Sequence, residues 1–101
     1  MLESTTDETG GNSNADISVL RRMIDEIDDA ILDLVNRRLG LAQQIGVAKK
    51  KDGIQITDSR RENEIMNRLI KTNNGPLEAS GLRRIFAAII AAGRSIQNKT
   101  D

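Results

Sequence analysis

The sequence predicts an all-α fold of three helices, the first very long. Three observations carry this expectation. Apolar residues recur at alternating intervals of three and four from Ile17 to Ala48, aromatic residues make up 1% of the 101-residue chain, and there is a single Pro. Strands favour aromatic and β-branched residues in two-residue alternation, whereas a three-and-four rhythm is that of packed helices. The length suits one domain, with no room for a second core of any substance.

The first element runs from about Ile17 to Lys51. Its apolar stripe reads Ile17, Leu20, Ile24, Ile27, Ile31 and Leu34, then Leu41, Ile45 and Ala48. Asn14 or Asp16 can cap its start, and Asp52-Gly53 supplies turn chemistry at its end. About 35 helical residues make a rod of roughly 50 Å, against a radius of gyration near 13 Å for a compact domain of this size. The rest of the chain is too short to cover such a rod. Its stripe therefore calls for a second copy, giving an intertwined six-helix homodimer. Residues 1–14 are polar, with no apolar run, and read as a disordered tail. The folded domain is expected over 15–98, with 99–101 as a C-terminal tail.

After a loop from Gly53 to Ile56, Thr57, Asp58 and Ser59 offer three successive caps for a second helix reaching about Thr72, where Asn73-Asn74-Gly75-Pro76 stops it. Ile65, Met66, Leu69 and Ile70 form its apolar stripe, and Asp58 and Glu62 extend the same side. A third helix begins near Leu77 or Ser80 and ends at Gln97. Leu82, Ile85, Phe86, Ile89 and Ile90 point inward, and the face continues through Gly93 to Ile96 and Gln97. All three apolar stripes thus end in polar residues.

Composition excludes several functions. Fifteen basic and fifteen acidic residues cancel, so no global field steers the chain onto nucleic acid or an anionic membrane, and stacking aromatics are missing. Without Cys or His there is no disulfide, thiolate or imidazole chemistry, and no metal or cofactor is expected. No apolar run reaches the eighteen or so residues of a membrane span, so the default location is the cytoplasm.

Candidate residues carry two readings each. Arg38 completes the heptad series of the first helix, and a guanidinium there needs a route to water or an anionic partner. Lys49, eleven residues on, shares its face within about 20° and lies roughly 16 Å along the axis, so the two arms can close on one small anion. Alternatively Arg38 snorkels beside the seam and Lys49 belongs to a solvated Lys49-Lys50-Lys51 run. Arg21 lies about 25 Å from Arg38 along the helix and on another face. It reaches such a site only from the partner of an antiparallel dimer, and is otherwise an exposed neighbour of Arg22. Ser59-Arg60-Arg61-Glu62 fits a capping box, which gives Glu62 a structural alternative. Arg61 is equally a surface partner of Asp58, and Gln97 a solvent-facing end residue. Gly93 costs its helix about 1 kcal/mol against Ala, a sign of close approach by a backbone or a bound molecule.

Together these residues resemble the all-helical class of chorismate mutases. The resemblance is carried by Leu20-Arg21, Ile24, Ile27-Asp28, Arg37-Arg38, Leu41-Ala42, Ile45-Gly46-Val47-Ala48-Lys49, Asp58, Arg61-Glu62, Ile85-Phe86, Ile89-Ile90 and Gln97. It implies a dimer of three-helix chains with paired first helices, acting in phenylalanine and tyrosine biosynthesis and open to association with another enzyme of that pathway. It also implies the intramolecular Claisen rearrangement of chorismate to prephenate. That reaction needs no nucleophile or proton carrier, only a held conformer and stabilised charge, as suits a chain without His or Cys.

Carried over residue by residue, Arg38 and the partner chain's Arg21 bind substrate carboxylate, with Arg61 adding charge nearby. Lys49 and Gln97 donate to the ether oxygen as its negative charge grows, Glu62 accepts from the ring hydroxyl, and Asp58 shapes the same end. Gly93 stands where relatives often carry a hydroxyl, so a carboxylate contact there is missing or replaced by water. Where some relatives have Glu, Gln97 donates without protonation, so activity should hold towards neutral pH. An isochorismate pyruvate lyase and a non-catalytic regulatory dimer share this fold and remain alternatives.

Overall fold

The computed structural model describes residues 13–55 and 57–99. They form three helices, α1 (Ser13–Asp52), α2 (Ser59–Thr72) and α3 (Ala79–Asn98). The tail expected over 1–14 lies outside the described residues except for Ser13 and Asn14, which are helical. Asn14 and Asp16, read from sequence as alternative caps, therefore both lie within α1. Asp16 remains in the first turn, where a carboxylate complements the helix dipole. At the other terminus Lys99 caps α3, and 100 and 101 lie outside the described residues.

Two compact units divide the chain between Leu34 and Val35. The described part of the first is the helix from Ser13 to Leu34. Its stripe residues Ile17, Leu20, Ile24, Ile27, Ile31 and Leu34 are 43% to 57% exposed in the single chain. Apolar surface of this size left open carries a free-energy cost that burial against another surface removes.

The second unit holds the C-terminal part of α1 with α2 and α3. Ala42, Ile65, Leu82 and Ile90 form its buried apolar core, one or two from each helix. Gly46 and Gly93 are buried as well. A Cβ at Gly46 would fall 2.9 Å from the Gln97 Cα, so α1 and α3 touch backbone to backbone at that point. On α3, Leu82 and Ile90 are buried and Phe86 and Ile89 half-buried, but Ile85 is 49% exposed, contrary to its expected inward place. It lies 60° round the helix from Leu82, enough to carry it past the edge of the packed face.

Local chemistry sets the helix ends. The Ile54 N–H donates to the Lys49 carbonyl at 2.7 Å and the Gly53 N–H to that of Lys50 at 3.2 Å, while Gly53 adopts φ +70°. This is the Schellman arrangement, and it needs a residue tolerant of left-handed backbone. Lys49, Lys50 and Lys51 fill the last turn of α1, where cations oppose the negative end of the dipole. After α2, the Asn73 side chain accepts from the Gly75 N–H at 3.1 Å and donates to the Leu77 carbonyl at 2.7 Å. That fixes the short turn into α3. Among the described residues no helix is long and apolar enough to cross a membrane.

Candidate active site

The C-terminal part of α1, the start of α2 and the end of α3 enclose a cavity of about 370 Å³, lined by residues of the second unit alone. That volume is of the order used for small organic ligands. Leu41, Ala42, Ile45, Ile65 and Ile90 form apolar walls, and Arg38, Lys49, Asp58, Arg61, Glu62, Gly93, Arg94 and Gln97 supply the rest. Seven of the eight residues singled out from sequence thus share one cavity. The eighth, Arg21, is exposed, belongs to the first unit and is not among the lining residues.

Arg38 comes from the middle of α1 and is half-buried. Its Nη1 lies 3.4 Å from where a Cβ on Gly93 would stand, so the guanidinium is drawn over the α3 backbone and into the cavity. Of the two sequence readings, escape to water beside the seam is the one this geometry disfavours. Gly93 is the close approach that makes room. Three turns further along α1, Lys49 lines the same cavity and is also half-buried, as an eleven-residue helical spacing requires.

The beginning of α2 differs from the capping box expected at Ser59. Asp58 is the N-cap, its Oδ1 accepting from the Arg61 N–H at 3.1 Å. With the cap one residue earlier, Arg61 takes the third helical position and Glu62 moves beyond reach of a capping role. The Glu62 carboxylate instead accepts from Arg94 Nη1 at 2.7 Å through Oε2. Arg61 remains exposed at the cavity, its Nη1 a loose 3.9 Å from Glu64 Oε1. Arg61 and Asp58 meet through the Arg61 backbone N–H rather than as a side-chain ion pair.

At the end of α3 the Gln97 side chain presses against Gly46, and its Oε1 is buried without a hydrogen-bond partner. An orphaned buried amide oxygen costs about 1–3 kcal/mol. Such an oxygen can take a hydrogen bond from a water or from a ligand that enters the site. The formal charges of the lining are four cations, Arg38, Lys49, Arg61 and Arg94, against two carboxylates, Asp58 and Glu62. The surplus of two positive charges suits a small dianion.

Sequence reasoning missed Arg94. Its signal was its place four residues after Ile90 and three before Gln97, which puts it on the same side of α3 as both. The apolar stripe, followed through Gly93 to Ile96, leads the eye past it.

Residues 20–98 match the family model described as Chorismate mutase type II. A chorismate mutase from Methanocaldococcus jannaschii is 33% identical over 85 residues, covering 82% of this chain and 85% of that protein. A bifunctional chorismate mutase/prephenate dehydratase from Aquifex aeolicus is 35% identical over 88 residues, covering 83% of this chain but only 24% of that relative's length. Among solved structures, chorismate mutase from Helicobacter pylori in complex with prephenate superposes with a TM-score of 0.78 at 27% identity, covering 84% of this chain and 92% of the other.

Proposed function

Because this chain belongs to the chorismate mutase type II family, we propose that it rearranges chorismate to prephenate. The observation that carries the reading is the cavity itself. Its lining combines a surplus of two positive charges, matching a dicarboxylate, with an amide whose buried oxygen has no partner in the protein. The prephenate in the Helicobacter pylori relative supports the same ligand class.

The reaction breaks the ether C–O bond as a C–C bond forms between the enolpyruvyl side chain and the ring, with electrons moving around one six-membered transition state. No proton leaves and no covalent intermediate forms. What the protein supplies is geometry and charge. Arg38 holds a carboxylate through its planar fork. Lys49 donates to the ether oxygen as negative charge grows there, and the Gln97 amide donates alongside it. A half-turn of the amide about χ3 turns its NH2 to the place where its oxygen now stands. Both donors strengthen in the transition state more than in the bound substrate, which raises turnover rather than affinity alone. Glu62 accepts from the ring hydroxyl through Oε1, and Asp58 and Arg61 bound the same end.

The active assembly in this proposal is a homodimer. The open apolar stripe from Ile17 to Leu34 supports it, and Arg21, borne on that same segment, enters the partner's site to meet a second carboxylate. Association with another enzyme of aromatic biosynthesis is compatible with the bifunctional relative.

Purified protein incubated separately with chorismate and isochorismate, with prephenate and pyruvate assayed as products, tests the reaction. Chorismate loss with matching prephenate is expected. Pyruvate released from isochorismate would assign the lyase reaction instead, and turnover of neither would favour a regulatory module. Lys49→Ala should lower kcat by about 100-fold or more with the fold intact, the loss of one transition-state donor. Near-wild-type kcat in that variant would overturn the role given to Lys49.

A further inference from the structure

We infer that Arg94 is a positioning residue for substrate binding: it aims the Glu62 carboxylate and offsets its charge, so that an anionic side chain can read a hydroxyl in a site built for a dianion. The inference rests on the proposed chorismate mutase activity and adds a residue to it.

Glu62 presents a physical problem. A carboxylate on the wall of a site for a dicarboxylate repels its own ligand, at partial burial where water screens poorly. Arg94 meets that problem from across the cavity. Its Nη1 lies 2.7 Å from Glu62 Oε2 and joins α3 to the first turn of α2, with 37% and 27% of the two side chains exposed. The pairs at Glu64 have a different character. Arg60 and Arg61 reach it within α2 at 3.5 Å and 3.9 Å, with more than half of every side chain in water. Those pairs lie on the surface and contribute little. The Arg94 pair is short, sheltered and long-range in sequence.

Its geometry divides the carboxylate between two tasks. Oε2 is occupied by Arg94, and Oε1 takes no hydrogen bond among the described residues. Held by a charge-assisted bond on one oxygen, the other is fixed in direction and open to accept from a ligand hydroxyl. The charge count agrees. Arg94 cancels Glu62, leaving Arg38, Lys49 and Arg61 against Asp58 for the two substrate carboxylates. Without Arg94 the cavity's surplus falls from two positive charges to one, and Glu62 is free to swing.

The test is a double-mutant cycle in the full chain, with steady-state kinetics on chorismate. Arg94→Ala should raise KM by about tenfold to a hundredfold, the range for losing a bond to a charged group, with a smaller change in kcat. Arg94→Lys should recover much of the loss. In a Glu62→Gln background, Arg94→Ala should cost far less than in wild type, because no carboxylate is left to aim and the double variant keeps the wild-type surplus of two positive charges. A chorismate analogue lacking the ring hydroxyl should inhibit wild type and Arg94→Gln with inhibition constants much closer together than their KM values for chorismate. Helical circular dichroism checks each fold, and Arg94→Gln replaces the Ala variant should that fail to fold. An unchanged KM in Arg94→Ala overturns the inference, and so do losses that multiply with Glu62→Gln, since they would mean that Arg94 touches substrate by itself. Either result leaves the function standing if wild type converts chorismate; a wild type that does not removes both.

Discussion

Gly93 shows how much one missing side chain shapes this site. A Cβ there would sit 3.4 Å from Arg38 Nη1 and 3.8 Å from the Ala42 Cβ, so the space admits a small side chain once the flexible guanidinium tip gives slightly. Gly93→Ser should therefore fold and gain about 0.5 kcal/mol from helix propensity, read as a higher urea midpoint. The added hydroxyl beside Arg38 is a new donor for a substrate carboxylate, and KM for chorismate should fall about threefold to tenfold, the range for one neutral hydrogen bond. A rise in KM in a stabilised variant would mean instead that the glycine is reserved for the guanidinium. Individual residues were legible from sequence to differing degrees. Gly93 announced itself by its helical cost and Arg38 by its place on an apolar stripe. Glu62 was legible as a polar continuation of a stripe but not in its partner, because a pair 32 residues apart leaves no local spacing. Arg94 was hidden for the same reason, as one of several arginines on exposed helix faces until the fold brought it to Glu62.

At the level of elements, periodicity and turn chemistry located all three helices. The end of α1 was readable because Asp52-Gly53 has one conformational use there. The start of α2 was not, since Thr57, Asp58 and Ser59 are all competent caps and only the backbone at Asp58 chooses between them. That choice matters for chemistry, because moving the cap by one residue releases Glu62 from a capping box into the cavity. The meeting of α1 and α3 is the other structural determinant of the site. The Gly46 position would place a Cβ at 2.9 Å from the Gln97 Cα and 3.1 Å from its Cβ, and backbone at that distance cannot yield as a side-chain tip does. Gly46→Ala gains about 1 kcal/mol in helix propensity, but overpacking of this kind costs about 1–3 kcal/mol. A net loss of about 1 kcal/mol is expected in urea unfolding, accompanied by a fall in kcat larger than the change in KM, since the strain is relieved by moving Gln97. Unchanged kcat in a destabilised variant would take Gln97 out of the transition-state contacts.

For the whole molecule, the open question posed by the chain is what covers the stripe from Ile17 to Leu34. Six large apolar residues more than two-fifths exposed, on a helical segment that carries Arg21, link assembly and chemistry in one proposal: the surface that needs a partner also carries the cation that completes the partner's site. Complementation separates this from a site built within one chain. Arg21→Ala and Lys49→Ala homodimers should each be nearly inactive. Unfolded together in urea at equal amounts and refolded, they should yield heterodimers as half of the population, with one intact site in two, so activity should return to about one quarter of wild type. The intact site combines Lys49 and Arg38 of one chain with Arg21 of the other, while the second site carries both lesions. Recovery should require co-refolding, because mixing the folded homodimers leaves both parents paired with themselves until subunits exchange. Activity per chain should also fall on dilution, as expected when the active species is the associated one. An inactive refolded mixture, with heterodimers shown to form, would mean that each site is built within one chain and that Arg21 does not act across the interface.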